Sequence, residues 1–530
     1  MTRHGEPPSE QPSATAEEQA LIPGSGGGGA AMRLIVPLQG IVQGHGGGGL
    51  VLGSLLPCVL FYAFQMFLKR SRSPPLNPPA DGPENRGVVR SSSRRRLPAR
   101  DAAVSARAAL IAKSGDSAYA VGEKRCLEDP YHPFDNPDGV MQLGLAENRL
   151  SLDLIDDWLS KNWKDTMLHQ RQGGALNIKG LATYQPFDGS LEFKTQAIAG
   201  LMGQVMQGSV SFDPSCIVLT SGATPAIEIL SFCLADTGNA FLVPSPYHPG
   251  YDRNIRWRAG IELIPVPCRS TDNFNISVAS LERAYTQAKN RSVKVCGILF
   301  SNPSNPVGNL LRTETLLDII DFATEKNIHV IADETFAGSI HGNEEFVSMA
   351  EVLNTDGVDR TRVHIVYSLS KVFSIPGFRV GIVYSFNECV LAAASRLSRF
   401  SSISAPIQHL LISMLTDVKF IADYLKMNRE RLRIMYALLV SSLMELGVQC
   451  VKSTGGFYCW MDMSKFMKSY SEKGEFELWK VMLDSAKIHI TSGTTCHCIE
   501  PGWFRLCFTT LTRNDVPLLM ERLKGVIHRQ

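Results

Sequence analysis

Lys371 stands in Ser368-Leu369-Ser370-Lys371, and Arg379 follows eight positions later in Pro376-Gly377-Phe378-Arg379. A primary amine can carry an aldehyde cofactor as a Schiff base, while two hydroxyls and a guanidinium offer neutral and charged donors to a phosphate. Together these residues suggest a covalent pyridoxal phosphate site. Alone, a lysine beside serines is usually a solvated loop or helix face, so the reading rests on what other segments bring to the same place.

Three further segments end an apolar, strand-like run on polar residues. Cys216-Ile217-Val218-Leu219 breaks into Thr220-Ser221-Gly222-Ala223-Thr224, and a helix is predicted from Pro225 through Leu230. Free amides at a helix N-terminus, approached closely because Gly222 has no side chain, make an anion cradle; an ordinary βα turn has the same pattern. Val295-Cys296-Gly297-Ile298-Leu299-Phe300 leads into Ser301-Asn302-Pro303-Ser304-Asn305-Pro306-Val307-Gly308, where two Asn-Pro pairs either aim side-chain amides or simply form a tight turn. Ile328-His329-Val330-Ile331-Ala332 delivers Asp333 at its tip, with an N-cap as the competing role. In an open α/β sheet the carboxyl ends of parallel strands converge on one crevice, so Thr220, Asn305, Asp333 and Lys371 are expected around one ligand.

From about Ala103 to the C-terminus the chain resembles the fold-type I pyridoxal phosphate enzymes of the class I and II aminotransferase group. Within that group it is most similar to the plant 1-aminocyclopropane-1-carboxylate (ACC) synthase-like branch. The likeness is carried by Gly144-Leu145-Ala146-Glu147-Asn148, Pro246-Tyr247-His248-Pro249-Gly250-Tyr251-Asp252-Arg253, Pro376-Gly377-Phe378-Arg379-Val380-Gly381 and Cys496-His497-Cys498-Ile499-Glu500-Pro501-Gly502-Trp503-Phe504-Arg505.

The resemblance implies an α/β, aspartate aminotransferase-like fold and pyridoxal 5′-phosphate as cofactor. Lys371 would hold it as a Schiff base and, once displaced by substrate, shuttle the proton between Cα and the cofactor's C4′. Asp333 would pair with the pyridinium nitrogen and keep the ring an electron sink. Asn305 would hydrogen-bond the 3′ oxygen, Tyr247 would stack on the ring face, and Gly222, Ala223, Thr224, Ser368, Ser370 and Arg379 would hold the phosphate. Arg505 would clamp the substrate α-carboxylate, which suits a planar two-pronged donor. Its setting in Trp503-Phe504-Arg505-Leu506-Cys507-Phe508 agrees, because a buried guanidinium needs an anion. Glu147 and Tyr184 would complete the substrate site, Tyr184 reaching the partner's cofactor in a homodimer.

Departures from the pattern bear on the reaction. ACC synthases carry a tyrosine three residues after the aspartate, where this chain has Phe336. A second tyrosine lies in their Phe-Gln-Asp-Tyr-His-Gly run, where this chain has Phe187 within Tyr184-Gln185-Pro186-Phe187-Asp188-Gly189. Tyr184, in contrast, sits where ordinary aminotransferases of the group carry a tyrosine. The lysine base, electron sink and carboxylate clamp that transamination requires are retained. The leading expectation is therefore an amino acid:2-oxo acid aminotransferase. An ACC synthase acting on S-adenosylmethionine would need other groups in place of the two hydroxyls. A non-catalytic cofactor-binding scaffold has no need of Lys371, Asp333 and Arg505 together. Phe336 is unusual for either enzyme: one donor fewer at the cofactor's oxygen should raise the pKa of its imine, and a core aromatic in a chain that has lost activity would look the same.

The 530 residues, 44% hydrophobic with a net charge of +2, describe a globular protein and not a nucleic-acid binder. Twelve cysteines are scattered without Cys-x-x-Cys pairs, and Cys496 and Cys498 lack the further ligands of a zinc site, so no metal is expected. Strand and helix alternation places a large domain with a mostly parallel sheet at about 192–415, and a small domain at about 103–191 and 416–530.

Residues 1–48 are Gly-rich and are not expected to fold alone. Leu50 to Leu68 carries no charge, and at about 1.5 Å per residue it spans roughly 30 Å, so 49–68 reads as a transmembrane helix. A cleaved signal peptide would start earlier and end on small residues, and a buried helix of the folded domain is the other alternative. Lys69, Arg70, Arg72, Arg86, Arg90, Arg94, Arg95, Arg96 and Arg100 fill a Pro/Ser-rich linker, 69–102, and positive charge flanking a span marks the cytoplasmic side. The expectation is a single-pass membrane protein with its catalytic domain, 103–530, facing the cytosol, where free thiols stay reduced.

Overall fold

Apolar runs of Val, Ile and Leu form a sheet covered on both faces. The structure, a computed structural model, describes residues 102–113, 117–168, 181–206 and 210–528. After a short strand β1 (Met141–Gln142) come β2 (Ile217–Thr220), β3 (Ala240–Ser245), β4 (Glu262–Pro267), β5 (Val295–Ser301), β6 (His329–Asp333), β7 (Val363–Ser368) and β8 (Gly381–Ser385). These seven pair in the order β2-β8-β7-β6-β5-β3-β4. Alternation along β3 shows how both faces are used: Ala240 and Leu242 enter one core with helices Val278–Asn290 and Thr313–Lys326, while Phe241 and Val243 enter the other with helices Ala223–Leu234 and Gly250–Ala259.

The sheet is mixed, because β8 runs antiparallel to both neighbours. The segment joining β7 to β8 holds only the short helices Leu369–Val372 and Pro376–Phe378, neither long enough to carry the chain back across the sheet for a parallel return. The helix expected at 225–230 starts earlier, at Ala223, with Gly222 as its cap at φ 108°.

A second core gathers around the antiparallel sheet β12-β13-β10-β9, made of β9 (Gln449–Cys450), β10 (Tyr458–Asp462), β12 (Thr491–Ser492) and β13 (Trp503–Cys507). β11 (Ile488–His489) pairs in parallel with β1 and so ties the N-terminal part to the C-terminal part. Helices Val418–Glu445, Glu472–Asp484 and Asp515–Ile527 pack on this core through Leu432, Leu439, Trp479, Met482 and Leu519. β10 begins at Tyr458, just after Gly456, which lies at φ 84° and turns the chain there. The transmembrane helix expected at 49–68, the Gly-rich stretch 1–48 and nearly all of the basic linker lie outside the described residues. Among the described residues no helix is long and apolar enough to cross a membrane.

Candidate active site

Five parallel strands end along one edge on a polar residue: Thr220, Ser245, Ser301, Asp333 and Ser368. β8 runs the other way and begins at this edge with Gly381, directly after Arg379 and Val380. The loops leaving that edge carry the chemistry, as the crevice rule for such sheets requires.

Lys371 lies on the short helix Leu369–Val372, whose N-cap Ser368 accepts from the Ser370 amide at 3.1 Å. Its Nζ donates to the Ala146 carbonyl at 2.8 Å. Desolvation lowers its pKa to about 8; the Arg505 guanidinium acts in the same direction, against Cys507, Asp333 and Glu147. The neutral amine that a nucleophile or base requires is therefore far more populated near neutral pH than in a solvated lysine, at about one molecule in ten. Asp333, 5% exposed, accepts from the Thr335 amide at 3.2 Å and from the Tyr251 hydroxyl at 2.5 Å. Burial pushes its carboxyl up, opposed by these donors and by Lys371. A buried carboxylate whose hydrogen-bond donors are neutral fits a pyridinium nitrogen as its cation.

The residues expected at the phosphate surround the start of helix Ala223–Leu234. That N-terminus has no side-chain cap, so its first amides are open to an anion. Arg379, at φ 56°, donates from Nη1 to the Pro376 carbonyl and from Nη2 to the Ser221 carbonyl, both at 2.8 Å. A Cβ on Gly222 would fall 2.3 Å from Arg379 Nη2. Ser368 and Ser370 hydroxyls stand 3.0 Å apart in the interior, whereas Thr224 is exposed and Ala223 half-buried.

Arg505 is 2% exposed on β13. It donates to Asn305 Oδ1 and to the Gly144 carbonyl at 3.0 Å, and to Thr491 Oγ1 at 3.1 Å, and its Cζ lies 4.4 Å from the centre of the Tyr458 ring. These acceptors are all neutral, and Nε has no acceptor. A buried guanidinium with a spare donor and no carboxylate of its own suits an incoming α-carboxylate. With Oδ1 engaged by Arg505, Asn305 keeps its amide NH2 to donate elsewhere.

Other expected site residues lie differently. Tyr247 is buried with its ring 4.4 Å from and nearly parallel to His497, and its hydroxyl is 3.4 Å from Asp252. Its neighbour His248 is the one on which Arg505, Lys371 and Arg253 all act electrostatically, its Nδ1 buried without a partner. Glu147 pairs with Arg149 at 2.7 Å and contributes to the field at Lys371. Tyr184 is 94% exposed, its ring edge-on to Phe187 at 6.3 Å. Phe336 is 3% exposed, packed edge-on against Phe457 at 5.2 Å and Tyr458 at 5.9 Å.

Four residues at the site carry no role in the sequence reading: Tyr251, Ser301, Tyr458 and Thr491. Tyr251 lies inside a quoted motif and Ser301 begins another. Tyr458 and Thr491 flank Arg505 only through strand pairing across β10, β12 and β13, a register that no local pattern reveals.

Solved structures share this architecture. An aspartate aminotransferase double mutant from Thermus thermophilus aligns over 80% of this chain and all of its own, with 21% identity and a TM-score of 0.64. An aromatic aminotransferase from Pyrococcus horikoshii aligns over 77% of this chain and 99% of its own, with 23% identity and a TM-score of 0.62. Among curated proteins, "1-aminocyclopropane-1-carboxylate synthase 6" of Oryza sativa subsp. japonica is 57% identical over 513 residues, covering 93% of each chain. "Probable aminotransferase ACS12" of Arabidopsis thaliana is 54% identical over 493 residues, covering 93% of this chain and 98% of its own. With residues 140–523 matching the family described as aminotransferase class I and II, the chain belongs to that family.

Proposed function

We propose that the protein is an amino acid:2-oxo acid aminotransferase, working in two half-reactions at Lys371, on a catalytic domain tethered to a membrane by residues 49–68 and facing the cytosol. The family is pyridoxal phosphate-dependent, and the residues present fit that group. When bound, the cofactor supplies an electrophilic aldehyde and an electron-withdrawing ring that acidifies the Cα–H of an attached amino acid. The protein does the rest. Arg505 binds and orients the α-carboxylate, Asp333 holds a proton at the ring nitrogen, and Lys371 Nζ moves the proton at Cα.

The observation that carries transamination over cyclopropane formation is the run Tyr184-Gln185-Pro186-Phe187, with Phe187 where ACC synthases carry a tyrosine and Tyr184 where ordinary aminotransferases carry one. Phe336, packed against Phe457 and Tyr458, removes a second hydroxyl that cyclopropane formation would use. The alternative reading, an ACC synthase, is supported by the printed name of the rice relative. Tyr184, almost fully exposed in one protomer, supports a homodimer in which it reaches the second site. The uncharged run Leu50–Leu68 followed by Lys69, Arg70 and Arg72 supports the tether and its orientation.

The test is the absorption spectrum of the full-length protein while single amino acids and then S-adenosylmethionine are added. Loss of the cofactor band with an amino acid, restored by a 2-oxo acid, establishes transamination. ACC released from S-adenosylmethionine would overturn it, and no response to either would favour a scaffold.

A further inference from the structure

We propose that Tyr251 is a positioning residue for Asp333: its phenol holds the carboxylate ionised and in place against the cofactor's ring nitrogen, and Ser301 joins it to the loop carrying Asn305. The inference rests on the cofactor assignment and goes beyond it, to how this chain sets the electronics of that site.

The geometry is a short line of hydroxyls, Tyr251 buried and Ser301 half-buried. Tyr251, 1% exposed at the start of helix Gly250–Ala259, donates to Asp333 Oδ2 at 2.5 Å, within the range of a charge-assisted O–H···O⁻ bond. Burial pushes the phenol's pKa well above its ordinary value, so the proton stays on Tyr251 and the phenol acts as the donor. The Ser301 hydroxyl lies close enough to that phenol to act on it, lowering its pKa against the effect of burial, while Ser301 Oγ accepts from the Asn305 backbone amide at 2.9 Å. The line thus connects the tips of β5 and β6, which end at Ser301 and Asp333.

The phenol cannot swing away. Its ring lies 6.3 Å from Tyr247 at 20° and meets His248 edge-on at 5.2 Å, and it packs in the core that holds Ile255, Leu299 and Ile331. Around Asp333 the other titratable groups are Lys371, which favours its charge, and the adjacent Glu334, which is held by Met349 and Ser348. Among hydrogen bonds that favour the charged carboxylate, that of Tyr251 is the largest.

The consequence bears on Phe336. A missing hydroxyl at the 3′ oxygen raises the pH at which the bound cofactor's visible absorption titrates, while an ionised Asp333 keeps the ring nitrogen protonated and lowers it. Tyr251 therefore offsets Phe336, acting through the ring nitrogen instead of the 3′ oxygen.

The experiment compares the wild-type full-length protein with Tyr251→Phe, Ser301→Ala and Phe336→Tyr. For each it measures the pH midpoint of the cofactor's visible absorption and the affinity of the apoprotein for pyridoxal phosphate. Tyr251→Phe should raise the midpoint by about half a pH unit or more and weaken cofactor binding about tenfold, as expected for losing one hydrogen bond to a charged group. Ser301→Ala should move both in the same direction by less, and Phe336→Tyr should lower the midpoint. A Tyr251→Phe protein whose midpoint stays at the wild-type value, with or without weaker binding, shows packing alone and overturns the proposal. If that variant does not fold, an unmoved midpoint in Ser301→Ala overturns it instead. A wild-type protein with no cofactor absorption would count against the cofactor site itself, a separate failure.

Discussion

Replacing Arg505 by lysine keeps the charge and removes the fork. The guanidinium spends three hydrogen bonds on Asn305, Gly144 and Thr491 and sits 4.4 Å over Tyr458. A lysine ammonium ends in one point and cannot serve all three acceptors while also meeting a carboxylate in two places. Losing one of two charge-assisted bonds to the substrate costs about 1.5–3 kcal/mol, or roughly 10- to 150-fold in affinity for the amino acid. Because the positive charge remains beside Lys371, the rate constant at saturation should fall less than the affinity. Leaving the Gly144 carbonyl without a donor should cost stability as well, about 1–3 kcal/mol. Stopped-flow absorbance of the half-reaction with an amino acid separates affinity from rate, and cofactor affinity measured in parallel controls for damage to the ring site. A folded, cofactor-loaded Arg505→Lys protein that binds the amino acid within threefold of wild type would refute the assignment, leaving Arg505 as a strut between β13 and the Gly144 loop.

Three other perturbations follow from the geometry. Gly222→Ala places a Cβ 2.3 Å from Arg379 Nη2 at a backbone φ of 108°; titration of the apoprotein should show cofactor affinity reduced about tenfold or more as the arginine is displaced from the anion site. Glu475 binds the Thr494 amide and hydroxyl through Oε1 and the Gly502 amide through Oε2, so Glu475→Gln, which turns one acceptor into a donor, should cost about 1–3 kcal/mol in urea unfolding. Lys371 is held at a pKa of about 8 when folded, against about 10.4 for an unfolded lysine. The folded apoprotein therefore binds fewer protons than the unfolded chain between those values, and its stability relative to Lys371→Met should rise as pH climbs through that window; a difference independent of pH would contradict the depressed amine.

How much of this is readable without coordinates depends on whether a residue's role is local or made by pairing. Asp333 ends a strand, and Asn305 and Lys371 lie within four residues of the ends of β5 and β7, so strand tips and the crevice rule suffice to bring them to one edge. Their individual roles needed the family resemblance, because N-cap, tight turn and solvated helix were equally good local readings. Arg505 was legible from its apolar neighbours, yet its setting was not: Tyr458 and Thr491 reach it by strand pairing across a second sheet. Tyr247 and His248 show the limit most plainly. Both adjacent rings lie against Tyr251, and the sequence does not say which of them shares the field of Lys371 and Arg505, as His248 does. The direction of β8 was missed for a related reason, since an apolar run reads the same whichever way it joins its neighbours.

The clamp's wiring also has a meaning in time. Arg505 takes an acceptor from Gly144, 361 positions earlier, and β13 enters the sheet only after β10 and β12 exist to receive it. During synthesis, which proceeds from the N-terminus, all seven strands of the large sheet and Lys371 emerge before Arg505 does. On the roles proposed above, the lysine and the turn at Gly222 are therefore made long before the residue that would meet the substrate, and the second core stays open until Phe504, Leu506 and Leu519 arrive to close it.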